Sequence, residues 1–223
     1  MAFFELDGPR LSPQSDRKAQ SLVVLLHGLG ADGNDLISLA PLWARVLPDT
    51  AFVSPHAPFP CDMAPYGRQW FSLQDRSPAR VLAGVQAAAP IVDAFLDAEL
   101  ARHALPPEKL ALVGFSQGTM MSLYVAPRRA HALAGVVGYS GAMVGAELLA
   151  GDLRARPPVL LVHGDADPIV PYERMAAAAQ ALDAAGVAVE TLTCPGLPHS
   201  IDEAGLQAGA EFLVERLTGT LAA

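Results

Sequence analysis

Two cysteines, Cys61 and Cys194, are all that the 223 residues hold, and they form no C-x-x-C pair. A disulfide framework or a zinc cluster is therefore not expected, and two reduced thiols suit a reducing cytoplasm. Lysine is equally scarce: Lys18 and Lys109 lie far apart, and the formal net charge is −8. The basic footprint that nucleic acid requires is missing, so anionic polymers are not expected partners. No uninterrupted apolar run reaches the roughly 18 residues of a membrane helix. The stretch Met1 to Arg10 has no basic start followed by a long apolar segment, so neither a transmembrane segment nor an export signal is expected. Charged residues make up only 17% of the chain against 52% hydrophobic. That balance excludes disorder, which needs low hydrophobicity and high charge, and argues for a large buried sheet. The length suits one α/β domain over residues 1–223, with no linker-like stretch and no internal repeat.

What is present is an alternation of short apolar runs and longer helical patterns, the signature of a mainly parallel sheet with crossover helices. Phe3 to Leu11 reads as a short edge strand. Ser21-Leu-Val-Val-Leu-Leu26 has the continuous apolar character of a strand buried on both faces. Asn34 is placed to cap a helix carrying Leu36, Ile37, Leu39, Leu42, Trp43 and Val46, and Thr50 to Ser54 reads as the next strand. The proline-rich stretch Pro55 to Pro65 is the longest irregular segment, and long loops in compact domains tend to be functional. Helical spacing from Pro78 to Leu100 predicts one long helix that Pro90 should kink or split. Further strands are expected in the apolar run that opens at Leu110 and at Leu133–Ser140, Val159–His163 and Val187–Thr193, with helices at Met175–Ala185 and Ile201–Leu217. The 18 residues from Gly141 to Pro158 leave no room for a separate lid domain.

The most informative stretch is Leu110-Ala-Leu-Val-Gly-Phe-Ser-Gln-Gly-Thr-Met-Met-Ser-Leu-Tyr124, a strand, a sharp turn and a helix with Ser116 at the apex. In a G-x-S-x-G elbow the glycines let strand and helix pass closely, while the serine is held strained and exposed at the helix N-terminus. There the first helical amides can hold an anion forming beside the hydroxyl, and the N–H of Gln117 is one such donor. The bland alternative is a glycine turn in which Ser116 merely caps the helix.

A serine hydroxyl is a weak nucleophile near neutral pH, so it needs an imidazole to take its proton and an acid to fix the imidazole tautomer. In the order serine, acid, histidine, both follow at strand ends. Asp167 lies after the Val159–His163 strand in His-Gly-Asp-Ala-Asp-Pro-Ile-Val-Pro, and His199 follows the last strand in Pro195-Gly-Leu-Pro-His-Ser-Ile. Asp165 is the rival acid, closer to the strand end and better placed to brace the turn. Ser140 lacks a following helix and is expected to line the pocket or satisfy backbone groups. His27 and His163 read as turn-bracing rings. Cys194 reads as a strand residue with no activating neighbours. No H-E-x-x-H or cysteine cluster points to a metal, and no metal site is expected. The loop His27-Gly-Leu-Gly30 is placed to give a second oxyanion donor, the N–H of Leu29.

With these residues assembled, the sequence resembles the bacterial phospholipase/carboxylesterase family, which is similar to the acyl-protein thioesterases of the α/β-hydrolase superfamily. The resemblance covers nearly the whole chain. It rests on His27-Gly-Leu-Gly-Ala-Asp-Gly-Asn-Asp-Leu36, Gly114-Phe-Ser-Gln-Gly118, His163-Gly-Asp-Ala-Asp-Pro-Ile-Val-Pro171, Pro198-His-Ser200 and the pair Trp70-Phe71. It implies an α/β-hydrolase fold, a Ser116, Asp167 and His199 triad, Leu29 and Gln117 amides as the oxyanion hole, and cofactor-free hydrolysis of short- to medium-chain carboxylic esters or thioesters. Alternative readings are an acyl-protein thioesterase, a lysophospholipase, or a non-catalytic scaffold that binds a small ligand or a protein. Trp70, Phe71, Leu29, Ile169 and Val170 are expected at the cleft mouth, holding the acyl chain, or else packed in the core. A lidless apolar cleft is one that a second subunit could cover, giving a homodimer. Two departures stand out: Thr119 replaces a glycine often found after the elbow, and the loop Phe59 to Gly67 does not follow the family's usual pattern.

Overall fold

The structure, a computed structural model, describes residues 5–219. In chain order its strands and α-helices are β1 (Arg10–Leu11), β2 (Ser21–Leu26), α1 (Gly33–Leu36), α2 (Ala40–Trp43), β3 (Thr50–Val53), β4 (Phe59–Pro60), β5 (Arg68–Gln69), α3 (Pro78–His103), β6 (Leu110–Phe115), α4 (Gln117–Val125), β7 (Gly135–Tyr139), α5 (Leu149–Asp152), β8 (Val159–Gly164), α6 (Glu173–Ala184), β9 (Val189–Cys194) and α7 (Glu203–Thr218). A seven-stranded sheet runs in the order β1-β3-β2-β6-β7-β8-β9. Its edge strand β1 pairs antiparallel with β3, and the remaining neighbours are parallel.

Side chains alternate across a strand, so a sheet covered on both faces sorts its residues into two cores. Leu22, Val24, Leu26, Leu110, Leu112, Val136, Val159 and Leu161 face one cluster with Val85, Val92 and Leu96 of α3, Met121 of α4 and Leu182 of α6. Val23, Leu25, Ala111, Val113, Val137, Leu160 and Val162 face the other, against Trp43, Phe212, Leu213 and Leu217. Each fully buried Leu or Val contributes about 1.5–3 kcal/mol, which is why the continuous apolar runs become central strands. Because the strands are parallel, the chain after β2, β6, β8 and β9 leaves from one edge of the sheet. His27–Gly30, Ser116, Asp167 and His199 therefore share that edge.

Several local expectations need correction. The cap near residue 34 is Asp32, whose side chain accepts from the Asn34 amide. The segment that follows is two short α-turns joined by a 3-10 turn rather than one helix, with Leu42 and Val46 exposed. Helix α3 runs unsplit through Pro90. Pro90 and Gln86 both face solvent, so the Gln86 carbonyl that loses its helical partner can be hydrated. The proline-rich segment is not wholly irregular, since Phe59–Pro60 pairs with Arg68–Gln69. Of the expected N-terminal strand only Arg10 and Leu11 pair, and Phe3 and Phe4 lie outside the described residues. By length and composition α3 is long and apolar enough to cross a bilayer, with a mean hydropathy of 1.4 over 18 residues. It packs on the sheet instead, through Val85, Ala88, Val92 and Leu96, and carries Asp93, Asp97 and Glu99.

Candidate active site

Ser116 sits between β6 and α4 with φ 54° and ψ −114°, a conformation that a non-glycine residue holds only where its surroundings over-determine it. The flanking glycines supply that constraint. A Cβ on Gly118 would lie 1.7 Å from the Leu26 carbonyl oxygen, and one on Gly114 would lie 2.5 Å from the Gly118 carbonyl carbon. The Ser116 amide donates to the Tyr139 carbonyl at 2.9 Å, while its side chain makes no capping bond to α4. Ser116 is thus not a simple N-cap, and its hydroxyl is left free at the sheet edge. Thr119, the departure after the elbow, has a role of its own: its hydroxyl lies 2.8 Å from the carbonyl oxygens of both Gly114 and Tyr139. Its side chain occupies the space that a Cβ on Gly138 or Gly141 would need.

Asp167, on the loop after β8, is fully saturated. One carboxylate oxygen accepts from the Ile169 and Val170 amides at 2.8 and 2.9 Å; the other accepts from His199 Nδ1 at 2.7 Å. Burial acts to raise the Asp167 pKa, but the His199 bond and the two amides outweigh it and hold the carboxyl below its ordinary value. Asp165 is not the acid in this geometry, because it accepts from the Gly196 amide at 2.6 Å and braces the turn that carries His199. The His199 ring packs 4.8 Å from the Phe115 ring, centroid to centroid. It therefore lies beside the residue preceding Ser116, with Nδ1 committed to Asp167 and Nε2 left available. The structure joins Asp167 to His199 directly and brings His199 to the elbow. A Ser116 to His199 hydrogen bond is not formed, and such bonds often tighten only when substrate binds.

The loop after β2 flanks Ser116 on its other side: a Cβ on Gly28 would lie 3.4 Å from Ser116 Cβ. Among the described residues the amides of Leu29 and Gln117 donate to no protein acceptor, so two N–H groups next to the elbow are free for an anion. A strap over residues 67–71 fixes this region. The Gly30 amide donates to the Arg68 carbonyl at 2.9 Å and the Arg68 amide to the Ala31 carbonyl at 2.8 Å. The Gln117 side chain accepts from the Trp70 amide and donates to the Phe71 carbonyl, both at 2.8 Å.

The expected acyl wall is largely corrected. Trp70 is fully buried with its indole N–H on the His27 carbonyl at 2.9 Å. Phe71 and Val170 are also buried. These three brace the loops from inside and offer no surface to a ligand. Ile169 is 61% exposed and Leu29 is partly exposed. Ser140, with φ 46°, donates its amide to the Val162 carbonyl and its hydroxyl to the Ser200 carbonyl at 3.5 Å, tying β7 to the His199 turn. Cys194 lies in β9, and burial with a bond to Asp202 pushes its thiol up to about 11, the reverse of activation. Among the described residues no group of three His, Cys, Asp or Glu is arranged to hold a metal. Sequence reasoning missed the Phe115 ring against His199 and the Gln117 amide bridge. It also missed His163 Nε2 lying 3.3 Å from the Asp167 oxygen that accepts from His199. Only the His163-x-x-x-Asp167 spacing hinted at any of these.

A profile of the Phospholipase/Carboxylesterase family matches residues 12–216. Acyl-protein thioesterase 1 of Neurospora crassa is 28% identical, over 94% of this chain and 91% of that protein. Esterase YpfH of Escherichia coli is 28% identical over 89% of this chain and 84% of its own length. The crystal structure of esterase PE8 superimposes with a TM-score of 0.92 at 41% identity, covering 96% of this chain and 100% of that one. The chain therefore belongs to the phospholipase/carboxylesterase family of the α/β-hydrolase fold and is a serine esterase acting on ester bonds.

Proposed function

We propose that the chain hydrolyses short- to medium-chain carboxylic esters through an acyl-enzyme on Ser116. His199 is the general base, Asp167 orients it, and the Leu29 and Gln117 amides receive the oxyanion. The observation that carries this reading is the 2.7 Å Asp167 to His199 bond set against a serine elbow with two unpartnered amides. Asp167 accepts from Nδ1, so that nitrogen carries the proton and Nε2 is the base. His199 takes the Ser116 proton as the hydroxyl attacks the carbonyl carbon. The resulting oxyanion sits between the two amides, and collapse expels the alcohol, which takes the proton from His199. Water then repeats the sequence on the acyl-enzyme and releases the acid.

A thioester differs only in its leaving group. The similarity to acyl-protein thioesterase 1 supports acylated protein cysteines as a second substrate class, which a chain-length series of matched esters and thioesters, read as kcat/KM, would separate. Two unpaired thiols, Cys61 and Cys194, fit a cytoplasmic setting. Ser116→Ala should abolish p-nitrophenyl butyrate hydrolysis and fluorophosphonate labelling while the protein stays folded. Retained turnover in that variant refutes the assignment.

A further inference from the structure

His27 is completely buried, lies outside the three residues proposed for bond making, and has both ring nitrogens engaged. Its Nε2 lies 3.0 Å from the Ala57 amide. A backbone N–H can only donate, so Nε2 must be the unprotonated nitrogen. Its Nδ1 lies 2.7 Å from the Gly28 carbonyl, which can only accept, so Nδ1 carries the proton. The tautomer is thus fixed by its partners rather than by choice. Burial pushes the ring down to about 4, so the neutral form persists at the pH where an esterase works.

The Gly28 carbonyl and the Leu29 N–H belong to one peptide. Among the described residues no peptide bond is cis, and in a trans peptide the two groups point in opposite directions. Whatever holds the carbonyl therefore aims the amide. Gly28 has no side chain to steer this peptide, and Gly30, with φ 81°, gives the loop a further soft hinge. The ring itself cannot turn: Ala57 holds its far nitrogen, and the Trp70 ring packs on it at 5.4 Å between centroids. Trp70 also donates to the His27 carbonyl at 2.9 Å.

Resting on the Ser116 esterase reading, we propose that His27 is a positioning residue for the oxyanion: its Nδ1–H pins the Gly28 carbonyl so that the Leu29 amide is aimed at Ser116. The histidine acts through the peptide and never touches the substrate. Its two nitrogens then have separable duties, one for catalysis and one for holding the 56–58 segment.

Two variants separate these duties. In His27→Asn the side-chain amide reaches the position of Nδ1 and can still donate to Gly28, but leaves the Ala57 amide unpaired. In His27→Gln the longer side chain reaches the position of Nε2 and can accept from Ala57, but no longer donates to Gly28. The expected result is a crossed pattern. Gln keeps the melting temperature close to that of the wild type and loses about 100-fold in kcat with little change in KM, the scale of one lost oxyanion donor. Asn melts lower and recovers most of the lost kcat. Inhibition by an aliphatic trifluoromethyl ketone, which forms a tetrahedral oxyanion on the serine, should weaken in His27→Gln by the same factor as kcat. Equal losses of kcat in both variants, or a kcat in the Gln variant within about threefold of wild type, overturn the proposal. Nitrogen-15 NMR of the wild-type protein needs no variant: a protonated Nε2 on His27 also overturns it. Fluorophosphonate labelling of Ser116 in the wild type keeps the two readings distinct, because its absence would defeat the esterase assignment rather than the role of His27.

Discussion

Acidification should weaken the fold through His27 before it reaches the carboxylates. Burial is the main cause of the drop in its pKa from 6.5 to about 4. The Gly28 carbonyl and the charge of Asp32 oppose that drop, and His56 and Arg68 add to it. In the unfolded chain the ring takes up a proton near pH 6.5; in the folded chain it does not until about pH 4. Between those values the unfolded state holds more protons, so the free energy of unfolding falls as pH falls. A group with these two pKa values costs about 2 kcal/mol of stability between pH 7 and pH 4.5, and nothing further once both states are protonated. His103, also lowered by burial, adds a slope of the same sign. The lowered carboxyls of Asp167 and Asp7 act in a different window, below their ordinary value near 3.8. Urea melts of the wild type and His27→Asn from pH 7 to 4.5 isolate the term. The wild type should lose about 2 kcal/mol more than the variant over that range, and parallel curves would refute the reasoning.

Three further outcomes follow from the same geometry. Gly118→Ala places a methyl group 1.7 Å from the Leu26 carbonyl oxygen, so α4 must move off β2; the variant should lose more than about 4 kcal/mol, and a wild-type melting temperature would contradict the close approach. Gln117→Met keeps the volume but orphans the Trp70 amide and Phe71 carbonyl, at about 1–3 kcal/mol each. A drop in melting temperature of roughly 2–4 °C per kcal/mol is expected, and an unchanged value would mean that the bridge stabilises nothing. Of the two free thiols, Cys61 is partly exposed and Cys194 is buried and pushed up to about 11. Ellman's reagent at pH 8 should count one rapid thiol in the native protein and two in denaturant.

What could be read from the sequence follows from the range over which each feature is encoded. Strands such as Ser21–Leu26 announce themselves because burial on both faces demands an apolar residue at every position. The elbow is legible because two glycines and a serine must fall within five residues. The pairing of Asp167 with His199 was readable from their places after two strand ends, and their side chains lie 2.7 Å apart. The local errors arose where position in the fold overrode a local rule. Pro90 breaks nothing because its side of α3 is wet, and Asp32 rather than Asn34 caps because its side chain reaches the Asn34 amide.

The strap was illegible for a different reason. After β2, β6, β8 and β9 the backbone leaves the ladder at one edge, and its N–H and C=O groups must find partners that no periodic pattern supplies. Here they are found across long stretches of chain. Trp70 donates to His27, Gln117 bridges Trp70 and Phe71, Arg68 pairs with Gly30 and Ala31, and the Arg68 guanidinium reaches the carbonyls of Ala57 and Pro58. Aromatic residues in a long loop near a catalytic edge look, by composition, like a substrate wall. Satisfying those stranded backbone groups turns Trp70 and Phe71 inward instead. An acyl chain held at this edge would meet Ile169, largely exposed with its amide on Asp167, and Leu29, partly exposed in the loop next to Ser116. If so, Ile169→Ala should shift chain-length preference in kcat/KM while leaving the melting temperature unchanged, and Trp70→Ala should do the reverse, destabilising the fold by about 3–5 kcal/mol as a buried indole is lost.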